Sequence, residues 1–234
     1  MAYIGDKKIS FSPQFHITEG GADYNEGYSA GYENGKEQGK EIGRAEGIEQ
    51  GKQAEYDRFW DVYQQNGNRR YYHSAFSRQW NDECYNPKYP IICGDETYDA
   101  YSIFQGAEIT DTKVDIYAPG YASSMFYTCP NLKTIRKLIV TEKTEYGSMF
   151  YQAYAVENIV YEGVIAHTLS MAACSKLSKA SIESVINALS TTVTGKSLSL
   201  SKTAIQSAFG TNYDSSTEWT TLKNSKSNWT ITLG

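Results

Sequence analysis

Histidine is scarce in this 234-residue chain: His16, His73 and His167 lie in separate segments with no metal-ligand spacing. That argues against a histidine-built metal centre. Cysteine is nearly as scarce. Cys84, Cys93, Cys129 and Cys174 include no C-x-x-C pair, and three sit in apolar runs. They read as four buried free thiols, and a Cys84–Cys93 disulfide has no independent support. No run of about 18 apolar residues exists to span a membrane. The opening MAYIGDKKISFSPQF lacks the apolar centre of a secretory signal, so none is expected. The net charge of -5 is mild and Lys and Arg are not clustered. Nucleic acid and anionic membranes, which need a basic footprint, are therefore not expected partners.

Catalytic motifs are missing too. There is no G-x-S-x-G and no H-E-x-x-H. Gly195-Lys196-Ser197 resembles the end of a phosphate loop, but Ser190 stands where the upstream glycine belongs. Asp95, Glu96, Asp111 and Asp115 could supply a carboxylate pair for glycan cleavage. Scattered carboxylates are more often simply solvated. Asn228-Trp229-Thr230 is a glycosylation sequon only in a secreted chain. The expectation is a protein without cofactor, metal or enzymatic activity.

What is present is a core and an excess of tyrosine. Apolar residues make up 40% and charged residues 21%, which argues against wholesale disorder. There are 20 Tyr against 8 Phe. Tyrosine joins an apolar body to a polar tip and suits half-buried faces and contact surfaces.

Glycine recurs at every fourth residue from Gly27 to Gly51: Gly27, Gly31, Gly35, Gly39, Gly43, Gly47 and Gly51. Glu, Lys, Gln, Ala and Arg fill the intervals, and no proline occurs between Gln14 and Asn86. The segment reads as one long helix. Each interior glycine costs about 1 kcal/mol relative to alanine, roughly 7 kcal/mol for the stripe. A few Glu–Lys pairs at about 0.3–0.5 kcal/mol each do not offset that. A packed partner is therefore expected, and the bare stripe suits another helix at close approach. Four residues advance about 400°, so the stripe drifts roughly 40° per repeat and favours a right-handed wrap. The reading is a homodimeric or homotrimeric stalk; a flexible Gly-rich linker is the alternative. Tyr56, Phe59, Trp60 and Tyr63 then form an ordinary apolar helix face, expected to dock the stalk, and Gly67 is a plausible stop.

A weak repeat follows. Ser74-Ala75-Phe76, Ser102-Ile103-Phe104, Ser124-Met125-Phe126 and Ser148-Met149-Phe150 recur, with a degenerate fifth copy at Ser170-Met171-Ala172. The phenylalanines are 28, 22 and 24 residues apart, in the range of leucine-rich repeats. Each unit reads as a short Ser-Met-Phe-Tyr turn of helix, a bend and a strand. Phe76, Phe104, Phe126 and Phe150 are the expected core. Leu132, Ile135, Leu138 and Val140 are the expected inward residues of one copy, and Val156, Ile159, Val160 and Val164 those of the next. Val114, Ile116 and Tyr117 suggest an earlier strand. One unit cannot bury its apolar side alone, so stacking is required. Near the end, residues 180–189, 203–209 and 217–225 read as helices, and 197–200 and 229–233 as strands, together a cap.

The Ser-Met-Phe units followed by NLKTIRKLIV resemble BspA-type leucine-rich repeats. Together with EYDRFWDVYQQNGNRRYYHSAF (55–76) and the closing SNWTITLG, they resemble repeat proteins of tailed phages and prophages of Gram-positive gut bacteria. The resemblance covers roughly residues 24–234. It implies a virion-associated structural role in a tail tip, fibre or surface appendage, made in the bacterial cytoplasm. It supplies no ligand and no catalytic residue.

The expected fold class is mixed α and β. Residues 1–23 form an N-terminal anchor toward other virion proteins, with short strands around Gly5-Asp6-Lys7-Lys8. Residues 24–66 form the stalk, 67–179 the repeat module and 180–234 the cap. Tyr121, Tyr127, Tyr151 and Tyr154 are candidate contacts for a host-surface glycan or protein. Two other roles remain open: a purely architectural component without receptor, and a bacterial surface adhesin.

Overall fold

The structure, a computed structural model, describes residues 2–4, 7–9, 22–58, 70–71, 74–94 and 101–234, with side chains before residue 71 only at 31–54 and 58. The chain forms two compact units, Met1–Lys52 and Gln53–Gly234.

In the first unit, β1 (Ala2–Ile4) pairs antiparallel with β2 (Lys7–Ile9), Ala2 opposite Ile9 and Ile4 opposite Lys7. The glycine-striped segment is helical: α1 runs Ala22–Arg58, 37 residues, and crosses the boundary between the units. Good helix formers fill the intervals between the glycines. Every residue from 31 to 54 is exposed, as a polar surface with no apolar stripe requires. The expected stop at Gly67 lies outside the described residues.

The second unit begins with a solenoid of about four turns and ends in an α/β cap. The strands β3 (Arg70–Tyr71), β4 (Ile91–Cys93), β5 (Asp115–Ala118), β6 (Thr134–Val140) and β7 (Asn158–Gly163) form a parallel sheet in chain order. Inward positions of neighbouring strands fall in register: Ile91 beside Ile116, Ile116 beside Leu138, Leu138 beside Tyr161. A bulge lies between Ile135 and Leu138, where β6 spends one residue more than β7. The inward set Leu132, Ile135, Leu138 and Val140 is buried as the pattern predicts. In β7 the strand alternation corrects one expectation. Ile159 points in, so Val160 points out (49% exposed) and Tyr161 takes the next inward place. Val164 is only half-buried.

The Ser-x-Phe units are not turns of helix. Ser74, Ser102, Ser124 and Ser148 all have positive φ, from 53° to 60°. Four residues on, Arg78, Gly106, Thr128 and Gln152 are again left-handed, with φ from 51° to 70°. Only one of these eight positions is glycine, and a left-handed residue with a side chain costs about 1–2 kcal/mol. Packing and hydrogen bonds overcome that cost. Three N–H groups of each turn donate to three carbonyls of the next. Ser74, Phe76 and Arg78 donate to Tyr101, Ile103 and Gln105; Ser102, Phe104 and Gly106 to Ser123, Met125 and Tyr127; Ser124, Phe126 and Thr128 to Gly147, Met149 and Tyr151. All nine distances lie between 2.7 and 3.1 Å. Phe76, Phe104, Phe126 and Phe150 stack beneath them in one column, with centroids 5.2, 5.4 and 5.7 Å apart.

The column stops there. Ser170-Met171-Ala172 is not a fifth turn: Leu169–Met171 is a strand, β8, in a separate parallel sheet. That sheet has the order β10-β9-β8, with β9 at Lys196–Leu200 and β10 at Trp229–Leu233. Helices α2 (Lys179–Ala188), α3 (Lys202–Phe209) and α4 (Thr217–Asn224) complete the cap. Ser178 caps α2 and Ser216 caps α4 through their hydroxyls. A continuous core joins solenoid and cap, from Tyr71 through Phe126 and Ile182 to Ile231.

Candidate functional site

The glycines of α1 present an open face. A Cβ built on Gly31, Gly35, Gly39, Gly43, Gly47 or Gly51 meets nothing within 4 Å. Tyr32, Ile42 and Ile48 on the same helix are 61%, 44% and 51% exposed. The surroundings of Gly27 and of the Tyr56 side chain, and Phe59, Trp60 and Tyr63 altogether, lie outside the described residues.

The proposed repeat core, Phe76, Phe104, Phe126, Phe150, Leu132, Ile135, Leu138 and Ile159, is buried throughout. The tyrosines divide into two populations. Tyr71, Tyr85, Tyr146 and Tyr161 are core residues. Tyr121, Tyr151 and Tyr154 are 43%, 51% and 55% exposed. Tyr127 is half-buried and stacks on Tyr151 with centroids 4.8 Å apart and planes 23° from parallel. Both follow the phenylalanine of their Ser-Met-Phe-Tyr units, so one residue turns the aromatic from inside to outside.

The ends of the two hydrogen-bond ladders differ. At the sheet edge, the α2 hydroxyls of Ser181 and Ser184 accept from Ile159 N (2.9 Å) and Tyr161 N (2.8 Å). Ser181 Oγ also donates to Glu157 O at 3.0 Å. At the turn edge, Ser148, Phe150 and Gln152 stand in the donor positions, and among the described residues their N–H groups meet no acceptor. Sequence reasoning missed this edge. The signal was Ala172, which replaces phenylalanine in the fifth copy and ends the column.

All four cysteines are buried thiols outside any disulfide. Burial pushes the thiols of Cys129 and Cys174 up to about 12. Burial also raises the phenols of Tyr85, Tyr146 and Tyr161. Asp111 pairs with Arg136 at 3.2 Å, and Lys137 lies 3.9 Å from Asp115 and 2.9 Å from Glu162. Gly195-Lys196-Ser197 opens strand β9 and not a helix, so it lacks the helix N-terminus of a phosphate loop. Asn228 Nδ2 donates to Ser190 O (2.9 Å) and Val193 O (2.7 Å), which engages the sequon nitrogen in the fold. Lys226 Nζ donates to Asn187 O and Leu189 O at 3.0 and 2.6 Å, a cation at the C-terminal end of α2. Among the described residues no group of three His, Cys, Asp or Glu side chains could hold a metal ion, and no helix is long and apolar enough to cross a membrane. His16, His73, Asp95 and Glu96 lie outside the described residues.

These features define a helix followed in sequence by a short β-solenoid with an α/β cap. Compared with protein-family models, with curated proteins and with solved structures, the chain matches none.

Proposed function

We propose that this chain is a self-assembling attachment protein of a phage particle, in which α1 forms a homodimeric or homotrimeric stalk and the solenoid contacts the host surface. The stack of half-buried Tyr127 on exposed Tyr151, with Tyr121 and Tyr154 also exposed, carries the reading. Interior packing needs aromatic rings inside, and the phenylalanine column supplies them. Rings placed in water beside a complete column suit recognition of a partner. The open glycine face supports the stalk, because seven interior glycines leave an isolated helix unstable. The resemblance of the repeats to BspA-type leucine-rich repeats of phages and prophages supports the setting, with residues 1–22 anchoring to other virion proteins.

Fluorescently labelled full-length protein should bind intact cells within a panel of Gram-positive gut bacteria. Replacing Tyr121, Tyr151 and Tyr154 together by serine should abolish that binding while leaving the fold intact. Absence of binding at micromolar concentration would contradict the attachment role. It would favour a purely architectural virion component, for which the open glycine face alone is sufficient.

A further inference from the structure

The solenoid carries two ladders, and among the described residues only one is closed by protein. Ser181 and Ser184 close the strand ladder. The turn ladder ends on Ser148, Phe150 and Gln152, whose N–H groups have no protein acceptor among the described residues. Ser148 and Gln152 are exposed, while Phe150 is buried. Tyr151 lies between the two exposed donors. One face of its ring rests on Tyr127, and among the described residues no aromatic ring covers the other.

Donors and ring point the same way along the solenoid. In each earlier junction the donors of one turn face the turn that follows, and Tyr151 continues the stack in that direction. The chain offers no fifth turn there, because Leu169–Met171 has entered the cap sheet.

The same row shows its preferred partner three times within this molecule. Ser102, Ser124 and their equivalents each hold a neutral amide carbonyl at 2.7–3.1 Å. No Lys or Arg occurs in GSMFYQAYAV (147–156), so the turn itself brings no cation for a carboxylate or phosphate. An exposed tyrosine face is suited to the flat apolar side of a sugar ring. We propose that the end of the fourth turn binds N-acetylated saccharides. The sugar ring lies on Tyr151, and acetamido carbonyls accept from Ser148 N and Gln152 N as the next turn's carbonyls do elsewhere. This rests on the attachment reading and names its ligand class.

The test is amide NMR on 15N-labelled full-length protein, titrated with the β-1,4 tetramer of N-acetylglucosamine, with its deacetylated form and with cellotetraose. The acetylated tetramer alone should move the Ser148 and Gln152 resonances. Tyr151→Ala should weaken binding about tenfold, and Tyr151→Phe should retain it. The site is overturned if the acetylated tetramer moves neither amide, or if the other two sugars move them equally. Movement by an unstructured peptide and not by the sugar would assign the edge to a protein partner, and also overturns it. Cells bound by a protein that ignores the tetramer would sink this inference alone. A protein that takes the tetramer but no cells would sink the attachment reading alone.

Discussion

The rings of Phe104 and Phe126 stack with centroids 5.4 Å apart and planes 17° from parallel, each buried completely. They sit at the centre of a column of four, held by backbone bonds from Phe104 N to Met125 O and from Phe126 N to Met149 O. Phe126→Ala should therefore cost about 3–5 kcal/mol, because neighbouring turns cannot collapse into the gap without breaking that ladder. Urea unfolding followed by tryptophan fluorescence measures it. A cost under about 1 kcal/mol would mean that the column is not the core's support.

Ser181 and Ser184 replace a missing strand. Ser181→Ala or Ser184→Ala should each destabilise by about 1–3 kcal/mol, leaving the Ile159 or Tyr161 N–H without its acceptor. Hydrogen exchange at those two amides should rise in the matching variant only. Unchanged exchange would contradict the capping role.

Gly163 and Gly195 share a left-handed φ, +97° and +67°, but not a setting. A Cβ on Gly163 would lie 2.0 Å from Val140 O, in the paired backbone at the end of β6 and β7. A Cβ on Gly195 meets nothing within 4 Å. Gly163→Ala should cost more than about 4 kcal/mol, and Gly195→Ala about 1–2 kcal/mol. Equal melting temperatures for the two variants would contradict this.

Much of this was legible in the sequence. The alternation in residues 197–200 and 229–233 marks strands that the structure places within a residue of the expected bounds. The helices expected at 180–189, 203–209 and 217–225 are found at Lys179–Ala188, Lys202–Phe209 and Thr217–Asn224. The column of Phe76, Phe104, Phe126 and Phe150 follows from their recurrence. The left-handed turns were not legible. Serine, arginine, threonine and glutamine at those positions have no local preference for positive φ, which the ladder between turns imposes. Val160 was misplaced because an apolar residue in a strand carries no mark of its face. The serines of α2 look like solvent-facing residues until β7 is seen to need acceptors. The open donor edge is a backbone feature, and no side chain announces it.

Buried acids should make the fold sensitive to alkali. The thiols of Cys129 and Cys174 lie near 12 in the folded protein against an ordinary value of 9, and burial raises Cys93, Tyr85, Tyr146 and Tyr161 as well. The unfolded chain ionises these groups first, so the native state binds more protons as pH rises from about 9 toward 12. Their contribution is intact below pH 9 and falls across that window. Urea midpoints at intervals from pH 8 to 11 should decline from about pH 9, and a flat profile would contradict the burial. At pH 8 a thiol reagent should stay silent until urea is added.

Self-assembly through the glycine face is the central claim, and mass in solution tests it most directly. Light scattering on the full chain should give two or three times the 26.2 kDa subunit. Replacing Gly35, Gly39 and Gly43 together by leucine should abolish or change that number, since side chains would then stand on the open face through which the stalk is proposed to pack. A monomeric parent at micromolar concentration, or a leucine variant with unchanged mass and unchanged helicity, would contradict it.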